Sequence, residues 1–299
     1  VAGCSGGEET GVAQTGDTGE TKYISIATSS SGGAFSIIGT AMADIINKNV
    51  PGVSANIEIT GGSSENILLA ENGSVELAMT ASDVLALALN GEGSFEGKQV
   101  PEGELMGVMG GHLTTLQVYV LKDGPIQSYA DLKGKKVAVG PAGSVAGDAM
   151  KTIMDAYGYE INTDWTPEYL AHGDGAEALT DGNVDAVCIM STIPASPVST
   201  AAASKEIRLL DLDKEQYDQI MEQCSYYIPA TIPADVYNGQ DEPVEYTFGS
   251  ASIMIAHKDI PEEEIYQMVK ALYENNDALV AAYPQCDEWS LENATRGLE

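Results

Sequence analysis

The stretch "YISIATSSSGGAFSIIGTAMADIINK" (residues 23–48) decides the fold. It begins with alternating apolar residues, passes through a Ser/Gly loop that contains no lysine or arginine, and continues with apolar residues at helical spacing. The helical stripe consists of Ile37, Ile38, Ala41, Met42, Ile45 and Ile46. This order predicts a strand, a loop and a helix whose N-terminus can face an anionic ligand.

Similar units follow along the chain. "VSANIEIT" (53–60) predicts a strand, "TGGSS" (60–64) a loop with Ser63 as helix cap, and "SVELAMT" (74–80) another strand. Later, "KKVAVGPAGSVAGDAMKTIMDAYG" (135–158) repeats the strand, loop and helix, with Gly158 predicted to end the helix. "ALTDGNVDAVCIM" (178–190) then mirrors "LAENGSVELAMT" (69–80). Two such matches in the same order predict an α/β protein with two similarly built lobes.

The rest of the chain sets the expected domain boundaries. "CSYYIPATIPADVYNGQDEP" (224–243) reads as a proline-punctuated crossing between lobes, and "EEEIYQMVKALYENNDALVAAYP" (262–284) as one long helix. We expect a tether over 1–21, a discontinuous first lobe over 22–125 plus 228–299, and a second lobe over 126–227. The 299 residues suffice for about two domains.

Charge and hydropathy exclude several classes of function. The formal net charge is −31, which argues against nucleic acid or an anionic membrane surface as a partner. No run of residues approaches the ~18 apolar positions that a membrane-spanning helix needs.

At the start, "VAGC" resembles the lipobox of a bacterial lipoprotein, which predicts that Cys4 carries a lipid. The Gly/Thr/Glu-rich segment that follows predicts a flexible tether.

The other cysteines and the histidines give little sign of chemistry. Cys188, Cys224 and Cys286 match no metal motif and form no disulfide framework, although one bridge between an undetermined pair stays open. Cys188 lies in the apolar run "VDAVCIM" (184–190), which favours a buried thiol. His112, His172 and His257 are scattered, so each is interpreted as a surface or core residue and no metal site is predicted.

The loops predict binding rather than catalysis. They contain no Gly-Lys-Ser/Thr phosphate loop, no G-x-G-x-x-G and no G-x-S-x-G, so we expect no cofactor and no enzyme activity. Helix N-termini with nearby hydroxyls instead favour a carboxylate held between the lobes by neutral donors. Phe35 can pack on this ligand or in the core. The expected ligand-binding residues are Thr28, Ser31, Gly32, Gly33, Phe35, Ser63, Asn66, Ser82, Ala142, Gly143 and Ser144.

Four stretches resemble the TAXI family of solute-binding proteins, the receptors of tripartite ATP-independent (TRAP) transporters. They are residues 24–79, "YADLKGKKVAVGPAGS" (129–144), "YYIPATIPADVYNGQDEPV" (226–244) and "ALYENNDALVAAYP" (271–284). The resemblance implies a two-lobed type II periplasmic-binding-protein fold with a hinge. It also implies delivery of a small solute to TRAP membrane subunits. Together with the lipobox, this predicts an extracytoplasmic, lipid-anchored protein, which we expect to be a monomer. The family's ligands lean toward glutamate, glutamine and related small carboxylates.

The sequence departs from the family pattern at three places, and two other functions stay open. Phe35 and Ser36 stand where the family has two tyrosines, Ala81 where it has a glutamine, and residues 145–147 where it has Gly-Thr-Glu. These changes weaken the expectation of glutamate as the solute. The alternatives are a ligand-sensing lipoprotein domain that reports to a signalling partner and a small-molecule α/β enzyme that uses a loop serine.

Overall fold

A computed structural model describes residues 21–29, 31, 33–142 and 144–298. The strands are β1 (Lys22–Ala27), β2 (Val53–Glu58), β3 (Leu77–Ala81), β4 (Leu105–Leu121), β5 (Lys136–Ala138), β6 (Thr166–Glu168), β7 (Ala186–Ser191), β8 (Ile207–Leu209), β9 (Ile228–Ile232) and β10 (Val244–His257). The helices are α1 (Ala34–Asn49), α2 (Ser63–Glu71), α3 (Ser82–Asn90), α4 (Val145–Ala156), α5 (His172–Asp181), α6 (Ser196–Ser204), α7 (Lys214–Gln223), α8 (Glu262–Glu274) and α9 (Asn276–Ala282). The alternation of short strands and helices makes this an α/β protein, as the sequence predicts.

The strands form one mixed sheet with the order β2-β1-β3-β10-β4-β7-β5-β6. Three parallel strands at each end repeat one arrangement, because β1 lies between β2 and β3 just as β5 lies between β6 and β7. The long antiparallel strands β4 and β10 lie between these two groups and pair with each other. The fold is therefore two-lobed, with β4 and β10 passing through both lobes.

The two matching sequence segments play matching roles. Glu76 precedes β3 and accepts a hydrogen bond from the Ser25 amide of β1 at 2.7 Å. Asp185 precedes β7 and accepts one from the Lys136 amide of β5 at 2.9 Å. In each lobe, the acidic residue that the repeat contains thus fixes the start of one parallel strand against its neighbour. The prediction of two similarly built lobes is confirmed.

Buried apolar residues form separate cores in the two lobes. One second-lobe core includes Leu116 and Phe248, and the other includes Ile232 and Val244. Ile253 of β10 packs instead with first-lobe residues. Ile232, Val244 and Phe248 of the segment 228–299 therefore pack with second-lobe residues, whereas Ile228 packs with first-lobe residues. The chain passes from one lobe to the other within β4 and β10. Because backbone pairing continues through each strand, the sequence shows no break at the point where the side chains move from one core to the other.

Several local predictions can be compared with the structure. Gly158 follows α4 with φ +73°, so it ends that helix as expected. Helix α2 begins at Ser63 and is capped by Gly62, so the prediction of Ser63 as cap was one residue late and wrong. The expected single helix over 262–284 is two helices, because the backbone leaves the helical region at Asn275. Cys188 is a fully buried thiol, as expected, and Cys224 and Cys286 are also unpaired.

Two properties of the described residues bear on function. None of their helices is both long enough and apolar enough to cross a membrane. Across the same ranges, no three His, Cys, Asp or Glu side chains gather closely enough to hold a metal ion.

Candidate functional site

A cleft between the lobes is the candidate site. It has two adjoining parts of about 500 and 310 Å³, and Ser63, Val145 and Met190 line both. Ser63 belongs to the first lobe, whereas Val145 and Met190 belong to the second. We call the larger part, which Asp148 and His172 also line, the outer part. We call the smaller part, which His112 and Ser252 also line, the inner part.

Helix N-termini surround the cleft on both sides. Phe35 at the start of α1 and Ser63 at the start of α2 line it from the first lobe. Val145 at the start of α4 and His172 at the start of α5 line it from the second lobe. These helices follow the carboxyl ends of parallel strands, where α/β sheets commonly bind ligands. Their partial positive charge favours an anionic group in the cleft. The sequence indicated the first three helix ends but not the start of α5.

Serine side chains accept hydrogen bonds from backbone amides at two of these helix N-termini. The Ser29 Oγ accepts a hydrogen bond from the Ser36 amide in the first turn of α1 at 3.2 Å. At α4, the Ser144 Oγ accepts from the Gly147 amide at 3.3 Å and donates to the Val139 carbonyl at 2.6 Å. Ser144 lines the cleft, but its hydroxyl proton is donated to the Val139 carbonyl and not into the cleft. The Ser144 hydroxyl is therefore not available as a donor to a ligand.

Thr28 and Asn66, both expected to contact the ligand, lie fully buried behind the cleft wall. The Asn66 amide nitrogen donates to the Thr28 carbonyl at 2.5 Å and to the Met79 carbonyl at 2.7 Å. Its oxygen accepts from the Thr60 hydroxyl at 2.6 Å, and the Thr28 hydroxyl donates to the Glu58 carbonyl. These side chains join the ends of three strands to α2, so they position the wall rather than line it.

Ser82 lies at the crossing between the lobes, away from the cleft lining. Its Oγ is 3.2 Å from the Ser250 Oγ and accepts a hydrogen bond from the Ala251 amide at 3.1 Å. The Ser250 hydroxyl donates to the Asp83 carboxyl at 2.6 Å. Burial raises the pKa of Asp83 to about 6. This buried cluster attaches the start of α3 to β10.

The remaining expected site residues fall into three groups. Gly33, Phe35, Ser63, Ala142 and Ser144 line the cleft. Ser31 lies in a groove outside it, beside Ile37 and Ile59. Gly32, Gly143 and the lipidation candidate Cys4 lie outside the described residues. Phe35 is half-buried and combines both expected roles, because it lines the cleft and packs against the first-lobe core.

The floor of the inner part comes from residues that the sequence analysis did not select. They are His112 and Thr114 on β4, Ser252 on β10, and Tyr283 after α9. Adjacent glycines in "GGHLTT" (110–115) were the available signal, because such pairs often mark a close approach of another segment. At Gly111, a Cβ would lie 2.1 Å from the Trp289 ring. His112 is a core residue, 1% exposed, whereas His172 and His257 are half-buried.

The two parts of the cleft differ in charge. Among the described lining residues of both parts, there is no lysine or arginine, while Glu65 and Asp148 line the outer part. Desolvation raises the pKa of Asp148, and Lys151 opposes that shift. Glu65 accepts a hydrogen bond from the Gly61 amide at 2.6 Å. The inner part is lined by hydroxyl groups, aromatic rings and His112, whose pKa burial and the Arg296 charge lower to about 4.

Comparisons with known proteins agree with this architecture. The model of the NMT1-like family matches residues 26–299. The TctC solute-binding protein from Polaromonas has a TM-score of 0.56 at 16% identity, with 89% of each chain covered. The periplasmic aliphatic sulphonate-binding protein SsuA from Escherichia coli has a TM-score of 0.52 at 18% identity, covering 91% of this chain and 79% of SsuA. A putative L-cystine ABC transporter protein from Listeria monocytogenes has a TM-score of 0.51 at 16% identity, covering 91% of this chain and 98% of that protein. The two-lobed solute-binding-protein fold expected from the sequence is confirmed.

Proposed function

This chain belongs to the NMT1-like family, and we propose that it is an extracytoplasmic solute-binding receptor rather than an enzyme. It captures a small carboxylate-bearing solute between its lobes and releases it to a membrane transporter. The observation that carries this proposal is the cleft, where helix N-termini of both lobes meet around one cavity. The Ser144 hydroxyl donates to a backbone carbonyl, so it is held as a helix cap and not as an activated nucleophile.

The charge distribution narrows the class of solute. A carboxylate fits the inner part, where hydroxyl donors and the start of α1 face it. A second carboxylate in the outer part would meet Glu65 and Asp148, whereas an ammonium group would be attracted by them. The solute best suited to both parts is therefore a zwitterionic amino acid with an uncharged side chain, such as glutamine. Glutamate is less suitable because of its additional negative charge.

Calorimetry with L-glutamine and L-glutamate on wild type and Asp148→Asn tests this assignment. At a separation of ~8 Å and an effective dielectric constant of ~40, one removed charge changes the ligand energy by about 1 kcal/mol. We therefore expect Asp148→Asn to improve glutamate binding about fivefold relative to glutamine. Wild type should bind glutamine more tightly, and stronger binding of glutamate would contradict the charge argument.

Asp123→Asn is the matched control for the net charge. Asp123 is exposed and follows β4 at the end remote from the cleft, so removing its charge should leave the preference between the two amino acids unchanged. A thermal-shift screen of small organic acids and amino acids on wild type covers the wider solute class. Turnover of a bound compound by the purified protein would overturn the assignment as a receptor.

The TAXI-like sequence stretches support delivery to TRAP membrane subunits as the specific form of this function. Solute uptake by proteoliposomes that contain those subunits should require this protein, and unchanged uptake in its absence would contradict delivery. We further propose that Cys4 carries the lipid anchor. Cys4→Ser should then move the full-length product from the membrane fraction to the soluble fraction, whereas the same membrane association in both forms would refute anchoring through Cys4.

A further inference from the structure

A line of three buried side chains ends at the floor of the inner part. The Trp289 indole nitrogen lies 3.0 Å from His112 Nδ1, and His112 Nε2 lies 3.1 Å from the Ser252 Oγ. Their side chains come from the C-terminal segment, β4 and β10, and none is more than 2% exposed. Only His112 and Ser252 reach the cleft surface.

The direction of each hydrogen bond follows from the chemistry of the groups. An indole nitrogen can only donate, so His112 Nδ1 must accept. A neutral imidazole carries one proton, which must then be on Nε2 and be donated to the Ser252 Oγ. Because Oγ accepts from His112, the Ser252 hydroxyl proton is not used in this line. The proton is therefore available for donation to an oxygen acceptor in the cleft, which Ser252 lines.

The surroundings hold this arrangement in place. Gly111 leaves room for the Trp289 ring directly against β4, since any Cβ there would collide with it. Arg296 donates to the Gly111 carbonyl and pairs with Glu288, next to the same ring. Burial and the Arg296 charge also disfavour an imidazolium, which agrees with the lowered pKa of His112. A protonated His112 would direct an N–H at the indole N–H.

We propose that Ser252 binds the solute directly, and that Trp289 and His112 are positioning residues that orient its hydroxyl as a donor to a carboxylate oxygen. The inference rests on the proposed function, because it takes the cleft as the solute site. It adds a specific acceptor requirement: a group that offers only N–H donors cannot satisfy the Ser252 proton. A carboxylate or a similar oxygen acceptor can.

The protein contains a built-in reporter for this contact. It has two tryptophans, and Trp165 lies in a second-lobe core away from the cleft. A ¹⁵N–¹H spectrum should therefore contain two indole signals, which Trp165→Phe assigns. Titration with L-glutamine or acetate should move the Trp289 signal through His112 and leave the Trp165 signal in place. In the free protein, the histidine ¹⁵N shifts should show His112 protonated on Nε2 and not on Nδ1.

Two variants distinguish the effect of losing the Ser252 hydroxyl from the effect of disturbing the fold. Ser252→Ala should weaken L-glutamine binding about 10- to 100-fold and abolish the movement of the Trp289 signal. Ser252→Thr keeps the hydroxyl and should retain most of both responses. Melting temperatures without solute check that the variants are folded.

The outcomes separate this inference from the proposed function. A rise in melting temperature with solute, but no movement of the Trp289 signal, overturns the role of this line and leaves the receptor assignment standing. Wild-type affinity in Ser252→Ala, or an Nδ1 proton on His112, also overturns it. If neither L-glutamine nor any tested acid raises the melting temperature, both proposals fail.

Discussion

Asn66→Ala should destabilise the fold far more than an equivalent change at an exposed asparagine. Asn66 is fully buried, and its side chain donates to the Thr28 and Met79 carbonyls and accepts from Thr60. Each such bond contributes about 1 kcal/mol net, and a buried partner left unsatisfied costs more. The expected loss in the free energy of unfolding is therefore about 3 kcal/mol.

Asn47→Ala is the matched control. Asn47 makes two side-chain hydrogen bonds, both to the backbone of Ala55, but its side chain is exposed and water can replace them. We expect a loss of about 1 kcal/mol or less there. Denaturant unfolding with linear extrapolation measures both values, provided that the slopes stay the same. Equal losses at the two sites, or a loss below 1 kcal/mol for Asn66→Ala, would refute the assignment of Asn66 as a buried support.

Two further predictions concern stability. Gly111→Ala should lower the free energy of unfolding, measured with denaturant, by about 3 kcal/mol, because its Cβ would lie within 2.5 Å of the buried Trp289 ring. At Gly173, an added Cβ would meet no atom within 4 Å, so Gly173→Ala should be neutral or stabilising. Similar effects of the two changes would contradict the close packing of β4 against the ring. Between pH 7 and 5, protonation of buried Asp83, whose pKa is about 6, adds stability, while protonation of His112 in the unfolded chain removes about 2 kcal/mol. Over this range Asp83→Asn should therefore lose about 1 kcal/mol more stability than wild type, and parallel pH profiles of the two proteins would refute the raised pKa of Asp83.

The sequence predicted the parts of the fold that depend on local patterns. The strand, loop and helix at 23–48, the helix that Gly158 ends, and the two matching lobes are all present in the structure. The two long strands that pass through both lobes were not predictable in the same way. Small residues fill the centres of β4 and β10, as in "GGHLTT" (110–115) and "GSASIM" (249–254), so neither segment has the alternating pattern of a half-buried strand. Their pairing with each other is also distant in sequence.

The residues of the candidate site were likewise predictable where the signal is local, and not where it depends on contacts distant in sequence. Loops that open helices carry a local signal, and Gly33, Phe35, Ser63 and Ser144 were found from it. His112, Ser252 and Trp289 carry no such signal, because the bonds that join them span 140 and 177 residues. Asn66 was selected from its place at a helix start, but burial makes it a support of the wall. Sequence spacing could not distinguish a polar side chain that faces the cleft from one that faces the core.

The symmetry of the lobes explains why the floor of the cleft matters for recognition. Each lobe contributes two helix N-termini in matching positions, so these ends attract an anion from both sides without distinguishing one end of a solute from the other. The difference comes from individual side chains: Ser252 on β10 and His112 on β4, outside the repeat, line the inner part, and Asp148 on α4 lines the outer part. A zwitterion bound with its carboxylate at Ser252 places its ammonium toward the acidic side chains. In the binding mode proposed above, the opposite orientation would bring the carboxylate close to Asp148, so side chains of β4, β10 and α4 together would set the direction in which the solute lies.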